Sequence, residues 1–216
     1  MSTKYGHFDD EAREYVITNP RTPVKWVNYV GTLGFGGIVD HTGGAILCAG
    51  DPGLNRITKY IPQLPASDFK GVTLYLRVTR SGGQRILSPF FTPCLDEPDR
   101  FESKVGLSYQ KITSEIAGIR TEATIFVPTG APLEVRDIRV TNLGTEPVTV
   151  EVVPVVEYSH FDALKQLCNA DWVPQTMMSE AMPLEGGLMA LLQYAFMRKD
   201  TKVNFLAASL PASSFE

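Results

Sequence analysis

The chain has 216 residues with 20 basic and 24 acidic side chains, so its formal net charge at pH 7 is −4. This charge balance lacks the excess of basic residues that is typical of a nucleic-acid-binding protein, and no apolar run is long enough to cross a bilayer. The N-terminus lacks the hydrophobic segment of a signal peptide, so we expect a cytoplasmic protein with neither nucleic acid nor a membrane as partner.

The first forty residues combine aromatic side chains with turn signals. Residues 15–17 (YVI) and 26–29 (WVNY) read as short strands, and prolines between them predict a turn at residues 19–23. Residues 31–37 (GTLGFGG) are rich in glycine, but strand and turn residues follow them. Because a phosphate-binding loop would open a helix, tight turns are the better interpretation.

Strict alternation of apolar and polar residues dominates the middle of the chain. It predicts strands at residues 73–78, 118–127 and 148–152, with a turn at residues 80–83 closing the first. A short helix is expected within residues 159–168, and a further strand at residues 203–208. Many short strands with regular turns predict an all-β protein, a large antiparallel β-sandwich with little helix.

Three details of strand pairing can also be predicted. Apolar parity switches at Arg136 and Asp137, which a β-bulge would explain because one extra residue reverses the face. Residues 142–147 (NLGTEP) indicate a hairpin between two strong strand patterns. Pro154 interrupts an apolar run and favours an edge position.

The residues that carry most enzyme chemistry show no recognisable spacing. No paired-cysteine motif links the three cysteines, which are expected to be free thiols: Cys48, Cys94 and Cys168. The three histidines share no metal-ligand spacing, so neither a metal nor a cofactor is expected: His7, His41 and His160. No nucleophile motif occurs, and the acidic run at residues 96–102 is best interpreted as a solvated loop.

The best candidate for a binding site is the segment at residues 169–178. Trp172 offers a flat apolar face for a pyranose ring, and Gln175, Thr176 and Met177 follow it. A side-chain amide can both donate to and accept from sugar hydroxyls. The alternative is that Trp172 and the methionines fill the core beneath a loop.

Three segments together resemble a known family: residues 5–31 (YGHFDDEAREYVITNPRTPVKWVNYVG), 55–60 (NRITKY) and 101–109 (FESKVGLSY). They are similar to the cellobiose phosphorylase group, the inverting glycoside phosphorylases of glycoside hydrolase family 94. The resemblance implies that residues 1–216 form an N-terminal β-sandwich of the supersandwich, galactose mutarotase-like kind, ending before the domain is complete. In that family the catalytic aspartate lies in an (α/α) barrel, so no catalytic residue is expected in this chain.

The resemblance also implies a reaction. Such enzymes use inorganic phosphate as co-substrate to cleave a β-glucosidic bond in a glucoside or disaccharide, giving α-glucose 1-phosphate. One general acid protonates the leaving oxygen, and phosphate replaces the activated water of an inverting hydrolase. The β-sandwich would shape the substrate site and support a homodimer, and residues 1–216 alone would be inactive.

The chain departs from the family pattern at two places. The family string F-E-x-R-H-G-L-G-Y appears as FESKVGLSY, without the Arg-His pair. A Gln-Arg-Asn string of the family acceptor site, on a loop that reaches across the dimer interface, appears as Gln175-Thr176-Met177. Both differences favour an acceptor other than glucose, such as a sugar acid. The alternative function is a stand-alone, non-catalytic carbohydrate-binding or assembly β-sandwich.

Overall fold

The computed structural model describes residues 4–168, 172–199 and 201–215, except for the side chain of residue 174. Within these ranges the chain is almost entirely β. Its strands are β1 (Gly6–Asp9), β2 (Glu14–Ile17), β3 (Val27–Gly31), β4 (Gly36–Asp40), β5 (Ala45–Cys48), β6 (Val72–Arg80), β7 (Gly83–Leu87), β8 (Arg100–Gly106), β9 (Tyr109–Ile116), β10 (Ile119–Phe126), β11 (Val135–Asn142), β12 (Thr149–Val156), β13 (Met177–Pro183), β14 (Met189–Ala195) and β15 (Val203–Ala207). Helix α1 (Ala163–Cys168) and 3₁₀ turns at Val173–Thr176, Glu185–Gly187 and Phe196–Arg198 complete the described elements.

These strands form four antiparallel sheets. The largest has the order β1-β2-β8-β9-β10-β11, and the others are β12-β6-β7, β3-β4-β5 and β13-β14-β15. Leu76 and Leu87 face Ile116 and Ile119 across the interior, so β6 and β7 pack on the six-stranded sheet. This arrangement confirms the predicted antiparallel β-sandwich. None of the described helices is long and apolar enough to span a membrane.

Strand β10 illustrates why alternation predicts the sheet correctly. Ile119, Ala123 and Ile125 are each at most 3% exposed, whereas Arg120 and Glu122 on the opposite face are half-buried. The main hydrophobic cluster joins this face to buried residues of β3–β7. Burying one face of each strand in a shared core is what fixes the register.

The predicted β-bulge at Arg136 and Asp137 is wrong. Strands β10 and β11 pair without interruption from Ile119 opposite Asn142 to Phe126 opposite Val135. The parity changes because Arg136 lies largely buried, 2.6 Å from the Glu134 carboxylate, and donates to the Gly43 carbonyl at 2.8 Å. An arginine with these partners occupies a position that the pattern reserves for an apolar residue.

The predicted hairpin at residues 142–147 is also wrong. Strand β11 is an edge strand of the six-stranded sheet, whereas β12 pairs with β6 in another sheet. The segment does turn tightly, because the Asn142 side chain accepts from the Gly144 N–H and donates to the Glu146 carbonyl. The turn chemistry was therefore correct and the pairing was not. Pro154 lies on the edge strand β12, as predicted.

The glycine-rich segment forms the tight β3–β4 connection. Gly31 has a φ of 88°, and a Cβ added there would overlap the Phe35 carbonyl oxygen and lie 2.8 Å from the Gly36 Cα. Glycine is required at this position both for backbone conformation and for space. The prediction of tight turns in this segment is confirmed.

Candidate functional site

In the described part of the candidate segment, the 3₁₀ turn Val173–Thr176 leads directly into β13. Val173 is fully buried, and the Thr176 hydroxyl donates to the Val173 carbonyl at 2.7 Å. Trp172 is 47% exposed and Gln175 is exposed. The buried valine anchors the turn, so Trp172 and Gln175 are presented on its solvent side.

The core-filling alternative finds little support in this geometry. Val173 rather than Trp172 occupies the interior, and Met178 is 41% exposed. Of the two methionines, only Met177 is half-buried, because it begins β13 beside Ala195 of β14. Residues 169–171, which belong to the predicted segment, lie outside the described residues.

Met177 also lines a groove of about 210 Å³, which we call the β15 groove. Its other lining residues come from the loop after β5, the segment before α1, and the ends of β14 and β15: Ala49, Asn55, Arg56, Ile57, Ser159, Phe161, Tyr194, Ala195, Thr201, Lys202, Val203 and Asn204. Trp172, Gln175 and Thr176 do not line it. The four predicted residues are therefore neighbours on the chain that do not share one pocket.

Two cations are held at the β15 groove. The Lys202 amine donates to the Asn55 side-chain oxygen and lies 5.4 Å from the centre of the Phe161 ring. The Arg56 N–H bonds the Phe161 carbonyl at 3.1 Å, and the Arg56 Nε donates to the Pro52 carbonyl at 3.3 Å. Among the described residues that line the groove none is acidic, so these residues together carry positive charge.

The sequence does not predict this groove. Asn55 and Arg56 stand out only as part of the NRITKY string, and Lys202 belongs to no motif. They meet because the loop after β5 packs beside β15, which brings together side chains 147 positions apart. Convergence over such a distance depends on sheet order, which no local pattern encodes.

A second polar cluster is buried at the end of β4. Asp40 is fully buried, accepts from the Thr42 and Gly44 N–H groups at 2.8 and 3.2 Å, and accepts from the Tyr60 hydroxyl at 3.2 Å. Burial and the neighbouring Asp40 raise the pKa of Tyr60. Burial lowers the pKa of Lys25, whose amine donates to the Thr42 hydroxyl. Each Asp40 oxygen is occupied, so this cluster supports the loops rather than a ligand.

His41 belongs to the same structural network. Its Nδ1 accepts from the Trp26 N–H at 3.2 Å, and its Nε2 lies 3.0 Å from the Pro20 carbonyl. These partners require a neutral ring protonated at Nε2, and burial lowers the pKa of His41 accordingly. Across the described ranges, no group of three or more His, Cys, Asp or Glu side chains could hold a metal ion.

The acidic run forms surface ion pairs. Asp96 lies 2.9 Å from Arg85, and Glu97 lies 2.6 Å from Arg21. Each carboxylate has a separate cation, and neither lines the β15 groove. The prediction of a solvated loop at residues 96–102 fits only residues 96–99, because residues 100–102 begin strand β8 and Phe101 is buried in the core.

Comparison with known proteins decides the family. Residues 13–216 match the family model described as glycosyl hydrolase 94, supersandwich domain. The chain belongs to this family. The match confirms both the resemblance found in the sequence and the β-sandwich fold, and it covers nearly every residue described above.

Relatives of this domain occur in named phosphorylases. The chain is 36% identical to the N,N'-diacetylchitobiose phosphorylase of Vibrio furnissii over 158 residues, which is 72% of the chain and 19% of that protein. It is 26% identical to the 3-O-β-D-glucopyranosyl-β-D-glucuronide phosphorylase of Paenibacillus borealis over 215 residues, 100% of the chain and 26% of that protein. Solabiose phosphorylase of Paenibacillus borealis is 26% identical over 158 residues, 72% of the chain and 20% of that protein. The chain thus spans 19–26% of the length of these relatives.

Proposed function

We propose that this chain is the N-terminal supersandwich domain of a cytoplasmic glycoside phosphorylase, which cleaves a β-glucosidic bond with inorganic phosphate and releases α-glucose 1-phosphate. The family match over residues 13–216 carries this proposal. The relatives support it, since each is named as a phosphorylase and one is named for a β-glucosyl disaccharide unit. Phosphate acts as co-substrate, so no resident cofactor is required.

The domain contributes no catalytic group in this proposal. Phosphorolysis with inversion needs one general acid beside the leaving oxygen. Asp40 is buried with its oxygens occupied, and Asp96 and Glu97 form ion pairs at the surface. The chemistry is therefore assigned to the part of the enzyme that this chain does not cover, and residues 1–216 alone should produce no α-glucose 1-phosphate.

The turn at residues 172–176 is assigned a contact with the acceptor sugar in the neighbouring subunit of a homodimer. Its anchoring by Val173 supports this role, because a rigid turn loses little conformational entropy when it presents Trp172 and Gln175 to a ligand. The local string Gln175-Thr176-Met177 and the glucuronide in one relative's name favour an acceptor that carries a carboxylate.

Replacing Gln175 with alanine in the full-length enzyme tests this assignment. Loss of a side-chain amide leaves its hydrogen-bonding partners unpaired, at a cost of about 1–3 kcal/mol. Gln175→Ala should therefore reduce kcat/KM for the acceptor roughly 5- to 150-fold in the synthetic direction. The KM for phosphate should stay at the wild-type value.

Gln84→Ala is the matched control, since Gln84 is an exposed glutamine on β7. It should leave both substrates unaffected. Wild-type acceptor kinetics in folded Gln175→Ala would assign the turn a structural role only. Absence of any phosphorolysis by the full-length protein, together with sugar binding, would favour the stand-alone carbohydrate-binding sandwich instead.

A further inference from the structure

The β15 groove has chemistry that the proposed acceptor contact does not use. Arg56 and Lys202 are the only charged residues among the described residues that line it. Neither lies within ion-pair distance of a carboxylate in the part of the chain that the structure describes. The whole chain has a net charge of −4, so this local positive charge is opposite to the general character of the domain.

Both cations are held in place before any ligand binds. Lys202 is fixed by Asn55 and by the ring of Phe161 beneath it, and its N–H bonds the Arg198 carbonyl at 2.8 Å. Arg56 is fixed through its backbone bond to Phe161 and through its Nε. Side chains ordered in advance lose less entropy on binding, which favours affinity.

The guanidinium group of Arg56 leaves its terminal nitrogens available. Only its Nε has a hydrogen-bond partner among the described residues. Two parallel N–H groups match the two oxygens of a carboxylate or phosphate, which is the geometry that makes arginine the preferred partner of such anions. Lys202 supplies a second positive charge on the same groove.

Neutral polar groups stand beside these cations. The side-chain amide of Asn204 makes no hydrogen bond within the described ranges, and the Thr201 hydroxyl lines the groove with it. Amides and hydroxyls of this kind pair with the hydroxyl groups of a sugar.

The size of the groove limits the ligand. Its volume of about 210 Å³ lies below the roughly 300–1,000 Å³ typical of pockets for drug-sized molecules. A disaccharide would extend beyond it. We propose that the β15 groove binds a monosaccharide that carries a carboxylate or a phosphate group, with Arg56 and Lys202 on the anion and Asn204 on the hydroxyl groups.

Calorimetric titration of the full-length protein tests this proposal with glucuronate, glucose 6-phosphate, glucose and inorganic phosphate as separate probes. Arg56→Met and Lys202→Met should each weaken binding of the anionic sugar by about 10- to 100-fold, as expected for loss of a charged hydrogen bond. Lys202→Arg should retain binding within a few-fold. Arg139→Met, which changes an exposed arginine on β11, is the matched control and should bind as the wild type does.

The two anionic probes identify the source of the ligand, because tighter binding of glucuronate indicates a sugar acid and tighter binding of glucose 6-phosphate indicates a sugar phosphate. Equal binding by wild type, Arg56→Met and Lys202→Met would overturn the proposal. It would also be overturned if the two substitutions weakened binding of glucose as much as binding of both anions, or weakened binding of inorganic phosphate as much as binding of glucose 6-phosphate. Circular dichroism of each variant confirms that the comparison is made between folded proteins.

Discussion

Asp40 connects three parts of the chain through one carboxylate. One oxygen accepts from the backbone of the β4–β5 turn, at Thr42 and Gly44, and the other accepts from Tyr60 in the loop after β5. Lys25, before β3, reaches the same cluster through the Thr42 hydroxyl. A buried carboxylate with several donors orders its loops strongly, since each donor would be costly to bury alone.

Asp40→Ala should lower the free energy of unfolding by at least about 3 kcal/mol, because it leaves buried donors unpaired and removes the anion beside Lys25. Urea denaturation of the chain measures the change. Asp137→Ala, at an exposed position of β11, serves as control and should stay within about 0.5 kcal/mol of the wild type. Equal stability of the two variants would contradict the structural role of Asp40.

His41 should make stability depend on pH. Burial lowers the pKa of folded His41 below 6.5, so the unfolded chain binds a proton more readily at this site. The contribution of neutral His41 to the free energy of unfolding should therefore be complete above pH 6.5. It should decrease as the pH drops towards 5, by up to about 1.4 kcal/mol per pH unit. Burial is the largest cause; the negative charge of Asp40 and the backbone groups of Pro20 and Trp26 raise the pKa, and the positive charge of Lys25 lowers it.

Denaturation midpoints of wild type and His41→Gln across this pH range measure the effect. The substituted protein should show a shallower slope. It should not become flat, because burial also lowers the pKa of His160, which stacks on Phe161 with ring centres 4.2 Å apart. Identical slopes in the two proteins would show that His41 contributes nothing to the pH dependence.

Among the connections between strands, the β3–β4 turn depends most clearly on one glycine. Gly31 and Gly130 both have positive φ values, 88° and 86°, but only Gly31 has neighbours where a Cβ would lie. Gly130→Ala should cost about 1–2 kcal/mol for its backbone conformation alone. Gly31→Ala carries the same cost plus overlap with Phe35, so its loss of stability in urea denaturation should be clearly larger. Similar losses would mean that the turn can move aside.

The elements that could be predicted from the sequence are those in which burial follows a local period. The faces of β10, the edge position of β12 and the tight turn at Gly31 follow from alternation, proline and glycine. The alternation pattern failed at Arg136, because the partners that allow this arginine to be buried, the Glu134 carboxylate and the Gly43 carbonyl, become apparent only in the folded structure. The hairpin predicted at residues 142–147 does not form, because the local turn signal does not specify the pairing partner and β12 pairs with β6 in another sheet.

The candidate site was predicted less well for a related reason. Trp172 and Gln175 are exposed as a binding role requires, yet neither lines the β15 groove, which includes only Met177 of the four predicted residues. Its cations are 146 positions apart (202 − 56) and neither belongs to a motif with a known ligand geometry. Such a site emerges only from the packed arrangement of the sheets.

At the scale of the whole molecule, the cysteines should report on folding. Cys94 and Cys168 are exposed, whereas Cys48 is buried, and burial raises the pKa of its thiol. Thiol titration of the native chain should therefore show two accessible groups, and denaturation without reductant should release a third. The rate at which Cys48 reacts then follows opening of the protein. A single free thiol in the denatured chain would instead reveal a disulfide.

The transfer of the chain from β11 to β12 has a consequence for the order of assembly. Strands β8–β11 follow one another as neighbours in a single sheet, whereas Glu151 of β12 meets Arg77 of β6, which lies 74 positions away along the chain. Loop-closure entropy opposes the second pairing more than the first. The four consecutive strands β8–β11 can therefore form early and provide a surface on which β6 and β12 later pair. In pulse-labelled hydrogen exchange during refolding, amides of β9 and β10 should gain protection before those of β12.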